Sequence, residues 1–90
     1  MMLSQSEDSA KDKAQAKLEE LPVKIGQIYT HYKAGGTYEI ISLAVKEDTL
    51  EPLVIYQAID HGNTVWARTY ANWSEEVEYE GKTVKRFVQK

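Results

Sequence analysis

One apolar run constrains the fold of this chain more than any other stretch. The segment Glu51 to Asp60, EPLVIYQAID, contains consecutive apolar residues from Leu53 to Tyr56. A short apolar run bounded by turn residues is typical of a strand that is buried over much of both faces. Pro52 stands at its start, where a missing N–H is tolerated, and the turn sequence Asp-His-Gly-Asn ends it. We therefore expect the other strands to pair around this one.

The size and composition of the chain exclude several classes of protein. Ninety residues provide one small domain, and the chain contains no cysteine. Disulfide bonds, thiolate zinc sites and thiol catalysis are therefore excluded. Two tryptophans, six tyrosines and one phenylalanine supply the bulk that a small core without cross-links needs.

The net charge of −3 bears on partners and location. Neither the part of the chain before Lys24 nor the part after it carries the basic excess that nucleic-acid binding usually requires, so we do not expect such binding. The opening residues, MMLSQSEDSAKDK, contain no apolar stretch like that of a secretory signal, and no window approaches a membrane span. We expect a cytoplasmic protein without a membrane association.

The segment before residue 24 is polar and rich in good helix formers. Pro22 disfavours a helical conformation of the residue before it, so a helix would end there. A thin apolar stripe is formed at helical spacing by Ala10, Ala14, Leu18 and Leu21. Such a stripe is compatible with a helix that docks loosely and, more readily, with a solvated leader. We divide the chain into an extension over residues 1–23, helical or disordered, and a β domain over residues 24–90.

From residue 24 the pattern changes to short β segments that are separated by turn residues. The residues Tyr70 to Trp73 are predicted to form an irregular corner between the fourth strand and a last hairpin about Glu80-Gly81. The absence of a crossover helix favours an all-β fold, an antiparallel sheet curled into a small barrel. The predicted strands are Ile25–Tyr32, Tyr38–Val45, Glu51–Asp60, Thr64–Thr69, Glu75–Glu80 and Lys82–Val88.

Four separated blocks of residues follow the pattern of a known family. They are Tyr29-x-His31-Tyr32-Lys33 with Tyr38, then Thr49-Leu50-Glu51-x-Leu53-Val54-x-Tyr56-Gln57-Ala58, then Trp66-x-Arg68, and last Val77-x-Tyr79-x-Gly81-Lys82-x-Val84-x-Arg86-Phe87. On these blocks the stretch from Gly26 to Phe87 resembles the small prokaryotic family called domain of unknown function 1653. The resemblance implies an SH3-like barrel, which agrees with the strand pattern. It implies no activity, because the function of that family is not established.

The chain departs from the family pattern at three places. The turn after Lys33 is one residue longer than in the family. Thr69 follows the arginine of the third block, where a proline is usual. The corner that follows ends in Trp73, where the family usually has phenylalanine.

The polar residues of the matching blocks, together with one tryptophan, are the candidate ligand-binding residues. They are His31, Lys33, Glu51, Tyr56, Trp66 and Arg68. In one hypothesis they form a surface pocket in which Arg68 binds a carboxylate or phosphate and His31 titrates near neutral pH. In the other, which we favour, Glu51 pairs with Arg68 or Lys33, and a buried Arg68–Glu51 pair fixes the strand register.

The aromatic residues also allow two interpretations. They could form a surface groove of the kind with which SH3-like barrels bind extended peptides. A core role is favoured, because so small a domain needs aromatic bulk inside. On that view, Tyr56 and Trp66 are core residues. The residues concerned are Tyr29, Tyr32, Tyr38, Tyr56, Trp66 and Trp73.

The chain carries no catalytic signature at diagnostic spacing. His31 and His61 lack the further ligands that a metal site needs, so we expect neither a metal nor a cofactor. The sequence favours a non-enzymatic binding or interaction module. It does not identify the partner, for which a protein, a peptide and a small anionic ligand all remain open. The alternative is a binder of a small anionic ligand or nucleic-acid end, which would use Arg68, Lys33 and His31.

Overall fold

The computed structural model describes residues 12–90, so Ala10 of the predicted stripe lies outside the described part. Helix α1 covers residues 12–20. The elements that follow are β1 (Ile28–His31), β2 (Gly35–Val45), β3 (Pro52–Ala58), β4 (Val65–Thr69), α2 (Tyr70–Trp73), β5 (Glu76–Tyr79), β6 (Lys82–Lys85) and β7 (Phe87–Gln89). Neither of the two described helices has the length and apolar composition that crossing a membrane requires.

The strands form a five-stranded sheet in the order β4-β3-β2-β1-β7 and a separate β5-β6 hairpin. Every pairing is antiparallel, which confirms the predicted all-β antiparallel fold. The apolar run from Leu53 to Tyr56 lies in β3, which pairs with a neighbour on each side, as expected. Val54 and Tyr56 on one face are buried, whereas Leu53 and Ile55 on the other face are only half-buried. Over residues 12–90 no ladder joins β4 to β7, so these two strands are the edges of the sheet.

Strand β2 is longer than any strand predicted for this region, and its ladders are irregular. Its register with β3 shifts between Ile40 and Ser42, which leaves Ile41 without a partner in that ladder. A second shift occurs in the β1–β2 ladder between Tyr29 and His31. Irregularities of this kind bend a strand and increase its twist. They therefore allow the long strand β2 to curve while it pairs with β1 on one side and with β3 on the other.

The core lies on one face of the sheet and is mainly aromatic. Ile40 and Val54, on neighbouring strands, are fully buried. Beside them the rings of Trp73 and Phe87 stack with centroids 3.8 Å apart and an angle of 6° between their planes. Four of the aromatic residues belong to this cluster, namely Tyr29, Tyr56, Trp73 and Phe87. The predicted core role is therefore correct for three of the six aromatic residues weighed above.

The corner that was predicted to be irregular is the one-turn helix α2. Thr69 caps it in an extended conformation, and its hydroxyl oxygen accepts a hydrogen bond from the backbone N–H of Asn72. Threonine is a favoured residue at a helix N-cap because its oxygen satisfies an otherwise free N–H. The departure from the usual proline thus supplies the cap. The helix in turn carries Trp73 into the core.

Helix α1 shows which end of the predicted stripe is buried. Ala14 and Leu18 are each 7% exposed, whereas Leu21 is half-buried. The Lys24 ammonium donates to the carbonyl oxygen of Glu19 at the C-terminal end of the helix, where a cation is favoured. Residues 12–20 of the extension are therefore helical, and the side of the helix that carries Ala14 and Leu18 is packed.

The last hairpin forms where it was predicted. Glu80 and Gly81 both have positive φ, at 52° and 78°, the combination that a type I′ turn requires. The predicted strand Lys82–Val88 is interrupted at Arg86. The backbone N–H of Arg86 donates to Glu75, whereas its carbonyl oxygen accepts from Tyr32. The chain therefore passes at Arg86 from the hairpin to the edge of the larger sheet.

Candidate functional site

A cleft of about 350 Å³ opens beside the edge strand β4. Side chains from β1, β2, β3, β4 and β7 meet there with the turn that follows β3. Four of the six predicted ligand-binding residues line it: His31, Tyr56, Trp66 and Arg68. The other lining residues are Ala34, Tyr38, Ala58, His61, Gly62, Thr64 and Phe87.

Arg68 is held in the cleft by contacts on three sides. Its Nε donates to the Tyr56 hydroxyl oxygen at 2.9 Å, and its Nη1 donates to the side-chain oxygen of Asn72. Its guanidinium also lies over the Phe87 ring. These contacts orient the guanidinium but leave Nη2 without a hydrogen-bond partner among residues 12–90. The fork of donors that suits a carboxylate or phosphate is therefore only partly used.

The predicted pair between Arg68 and Glu51 is wrong. The β3–β4 ladder places Arg68 opposite Val54, and its last pair is Leu53 with Thr69. Glu51 lies beyond the end of that ladder, where its Oε1 accepts a hydrogen bond of 2.9 Å from the Thr49 hydroxyl. In the described part of the chain, Arg68 has no carboxylate partner. Glu51 is exposed and lies outside the cleft.

Lys33 is also exposed and does not line the cleft, although it follows His31 closely. Its positive charge still reaches the site, because it contributes to the lowered pKa of His31. The structure thus brings together four of the six predicted residues and leaves Lys33 and Glu51 outside. Their assignment as ligand-binding residues stays a prediction.

The hydrogen bonds of the His31 ring favour its neutral form. Its Nδ1 accepts hydrogen bonds from the backbone N–H groups of Lys33 at 3.2 Å and Ala34 at 3.1 Å. An acceptor at Nδ1 requires the neutral ring with its proton on Nε2. Burial lowers the pKa of His31, and the charges of Arg68, Arg86 and Lys33 lower it further. Of these three cations, Arg68 lines the cleft itself, Lys33 lies outside the lining, and Arg86 is paired with the Glu75 carboxylate.

Trp66 forms an exposed aromatic wall of the cleft. The β3–β4 register places it opposite Tyr56, but 52% of Trp66 is exposed, whereas Tyr56 is 5% exposed. The expectation that both residues belong to the core is thus correct for Tyr56 and wrong for Trp66. The reason is that β4 is an edge strand, and no further element of the described chain covers the ring. A surface role for this aromatic residue is favoured instead.

His61 is a lining residue that the sequence did not identify as part of a site. It lies in the turn after β3, and its Nδ1 is 2.9 Å from Oδ1 of Asp60. The pKa of Asp60 is lowered, chiefly by a hydrogen bond from the Thr37 backbone N–H. Gly36 packs against this histidine with positive φ, and a Cβ there would lie 3.4 Å from the ring. The sequence signal that would have identified His61 is the β3–β4 hairpin, because its turn lies at the same end of the sheet as Trp66.

The chemistry of the lining favours binding. Among the residues that line the cleft there is no carboxylate, lysine or cysteine. In the described ranges of the chain, no three His, Cys, Asp or Glu side chains come close enough to hold a metal ion. What the lining offers is a flat exposed ring, several partly buried aromatic faces and one guanidinium with free donors. Such a surface suits a ligand with an anionic group next to an apolar or flat one.

Comparison with known proteins gives one finding. No curated protein and no solved structure matches the chain. A family model does match it, over residues 27–89. This range covers all seven strands and includes every residue that lines the cleft. The chain therefore belongs to the family described as protein of unknown function (DUF1653).

Proposed function

We propose that this domain is a non-enzymatic binding module, and that its cleft receives a small ligand or chain end that carries an anionic group. The observation that supports this most is the state of Arg68. Its guanidinium is partly buried in the cleft, is oriented by Tyr56 and Asn72, and has no carboxylate partner among the described residues. A partly buried cation is stabilised by a counter-charge, and a ligand would supply it here.

Two further features support an anionic ligand. The charges that lower the pKa of His31 act on the cleft as well, so an anion there would be stabilised. Trp66, which is half exposed at the rim, offers a flat face that could cover the apolar part of the same ligand. An oriented guanidinium gives direction to the anion, and the exposed ring adds contact area.

The composition of the lining supports binding over catalysis. Serine, cysteine and lysine, which are common activated nucleophiles, are not among the lining residues. The two histidines do not form an acid–base pair with such a group. His31 uses its Nδ1 as an acceptor for two backbone amides. The interaction module expected from the sequence is thus proposed in a specific form, with the anion as the recognised group.

The experiment that tests the proposal is an NMR titration of the full chain. We would record ¹H–¹⁵N spectra with phosphate, acetate, benzoate and adenosine monophosphate as separate probes. We expect at least one probe to shift the Arg68 side-chain and Trp66 indole signals in a saturable way. Arg68→Gln should weaken that binding at least about tenfold, because a charge-assisted hydrogen bond is lost.

Lys33→Gln is the matched control. It removes the same charge from the same neighbourhood, but Lys33 lies outside the lining. We expect it to weaken binding only slightly. Equal losses in the two variants would mean that general electrostatic attraction, and not Arg68 itself, binds the probe. No saturable shift with any probe would contradict the proposal.

A further inference from the structure

Among residues 12–90 the outer edge of β4 has no partner, and Arg68 is the one charged residue of this strand. Its sequence, VWART, contains no proline, lysine or acidic residue, and the β3–β4 ladder runs without a bulge. Natural proteins commonly protect exposed edges with such devices. The opposite edge, β7, is shorter and ends beside Lys90. Val65 and Trp66 are 51% and 52% exposed, so the open stretch of β4 is apolar.

The hydrogen-bond pattern shows which backbone groups of β4 face outward. The N–H of Ala58 donates to the carbonyl of Thr64, so the two residues form a bonded pair. Bonded and non-bonded pairs alternate along an antiparallel ladder. Trp66 therefore directs its N–H and C=O toward β3. Val65 and Ala67 direct theirs away from the sheet, where they are free to pair with another strand.

We infer that this edge is the dimer interface of the protein, and that two copies pair antiparallel through β4 about a two-fold axis at Ala67. The sequence of β4 is self-complementary in that register. Ala67 faces the partner's Ala67, and the outward N–H and C=O of the two residues bond reciprocally. Trp66 then stands opposite the partner's Arg68, in a non-bonded pair where side chains lie closest.

The pairing of Trp66 with the partner's Arg68 supplies the attraction that this edge offers. A guanidinium over a tryptophan ring is a favourable cation–π contact, and the two-fold axis forms it twice. Val65 would lie opposite the partner's Thr69, a pair of β-branched side chains that suits a sheet. An interface of this symmetric type uses the same patch on both copies and closes without growing into a fibre.

The inferred dimer has a consequence for the cleft but does not depend on what the cleft binds. Trp66 and Arg68 both line the cleft, so the two clefts of a dimer would adjoin across the axis. The five residues of β4 form a small interface. We therefore expect a reversible dimer whose population rises with protein concentration.

The first test is the mass of the full chain, measured by sedimentation equilibrium over a wide concentration range. We expect a monomer–dimer equilibrium. Ala67→Pro should abolish the dimer and leave the circular dichroism spectrum unchanged, because the N–H that it removes makes no bond to β3. Ala67→Val keeps the N–H and should still dimerise. Trp66→Ala should weaken association about tenfold through the loss of both cation–π contacts.

A second test fixes the register even if Ala67→Pro does not fold. The chain has no cysteine, so a single introduced thiol reports on one position. Ala67→Cys should form an intermolecular disulfide under mild oxidation, because residues paired across the axis have Cα atoms at a distance that a disulfide can span. Val65→Cys lies on the same exposed face but away from the axis, and should form little of it.

Three results would overturn the inference. One is a monomer at every concentration, which would favour an extended segment of a different protein as the partner of the β4 edge. Another is an Ala67→Pro variant that is folded and still dimeric. The third is disulfide formation by Val65→Cys as readily as by Ala67→Cys, since random collision would then explain both.

Discussion

The guanidinium carbon of Arg68 lies 5.3 Å from the centroid of the Phe87 ring. Phe87 in turn stacks on Trp73 in the core. One face of the arginine thus covers the core, while its free donors remain available to the cleft. A substitution at this position therefore changes stability and binding together, so experiments on the site need a stability measurement for every variant.

We expect Arg68→Ala to lower the free energy of unfolding by about 1–3 kcal/mol, because it leaves the buried Tyr56 hydroxyl without this partner and uncovers Phe87. Glu51→Ala is the control and should change it by less than about 0.5 kcal/mol, as at other exposed sites. Urea unfolding followed by circular dichroism measures both. If Glu51→Ala lowered the free energy of unfolding as much as Arg68→Ala does, that result would be evidence for an Arg68–Glu51 ion pair, which the structure does not contain.

The two tryptophans should respond differently to truncation. Trp73 is 3% exposed, so Trp73→Ala should cost about 3–5 kcal/mol and unfold much of the population. At a concentration where the protein is monomeric, Trp66→Ala should cost less than about 1 kcal/mol, because half of that ring is then in water. Thermal unfolding of the two variants provides the comparison. Similar losses would mean that the Trp66 ring is covered in solution.

Helix α1 should contribute modestly to stability. Leu18→Ala should cost about 1–2 kcal/mol through lost burial, whereas Lys17→Ala, one position away on the exposed side, should cost almost nothing. We predict that deletion of residues 1–20 leaves the β domain folded and lowers its free energy of unfolding by less than about 2 kcal/mol. The contacts of the helix are lost, but the entropy cost of ordering the helix is lost with them. Denaturant unfolding of the shortened chain checks this, and an unfolded product would show that α1 is part of the core.

The stability of the protein should fall in mild acid through His31. Its pKa in the folded state is below the ordinary value of 6.5, so the unfolded chain binds the proton more readily. The full contribution is present above pH 6.5 and declines as the pH falls from there through the folded-state pKa. His31→Asn, whose side-chain oxygen can accept from the same two amides, should lose this dependence. Unfolding midpoints on both sides of pH 6.5, compared between the two proteins, measure the effect.

The sequence predicts the strands well wherever two independent signals agree. In β3 an apolar run coincides with turn residues at both ends, and the Glu80-Gly81 turn has the conformation that its glycine favours. Signals of a single kind were less reliable. Residues 70–73 contain no periodic pattern, so their helix depends on the cap at Thr69 and on the burial of Trp73.

The candidate site was harder to predict because its members depend on which strands are edges. Alternation along β4 shows that Trp66 and Arg68 share a face, but not whether another element covers that face. The Arg68–Glu51 pair assumed that complementary charges meet, and the register carries Glu51 beyond the ladder. His61 enters the cleft through the shape of a turn, which composition alone does not specify.

The pairing of β7 with β1 has a consequence for how the chain folds as it is synthesised. Tyr29 lies opposite Gln89, so this ladder joins two segments at nearly opposite ends of the described sequence. The Phe87 ring that completes the aromatic core arrives with the same late strand. Contacts of such long sequence separation slow folding, because the loop between the two segments must close before the contacts can form. A nascent chain can therefore form the β2–β3–β4 meander early, but the meander stays exposed and protease-sensitive until β7 has left the ribosome and joined β1.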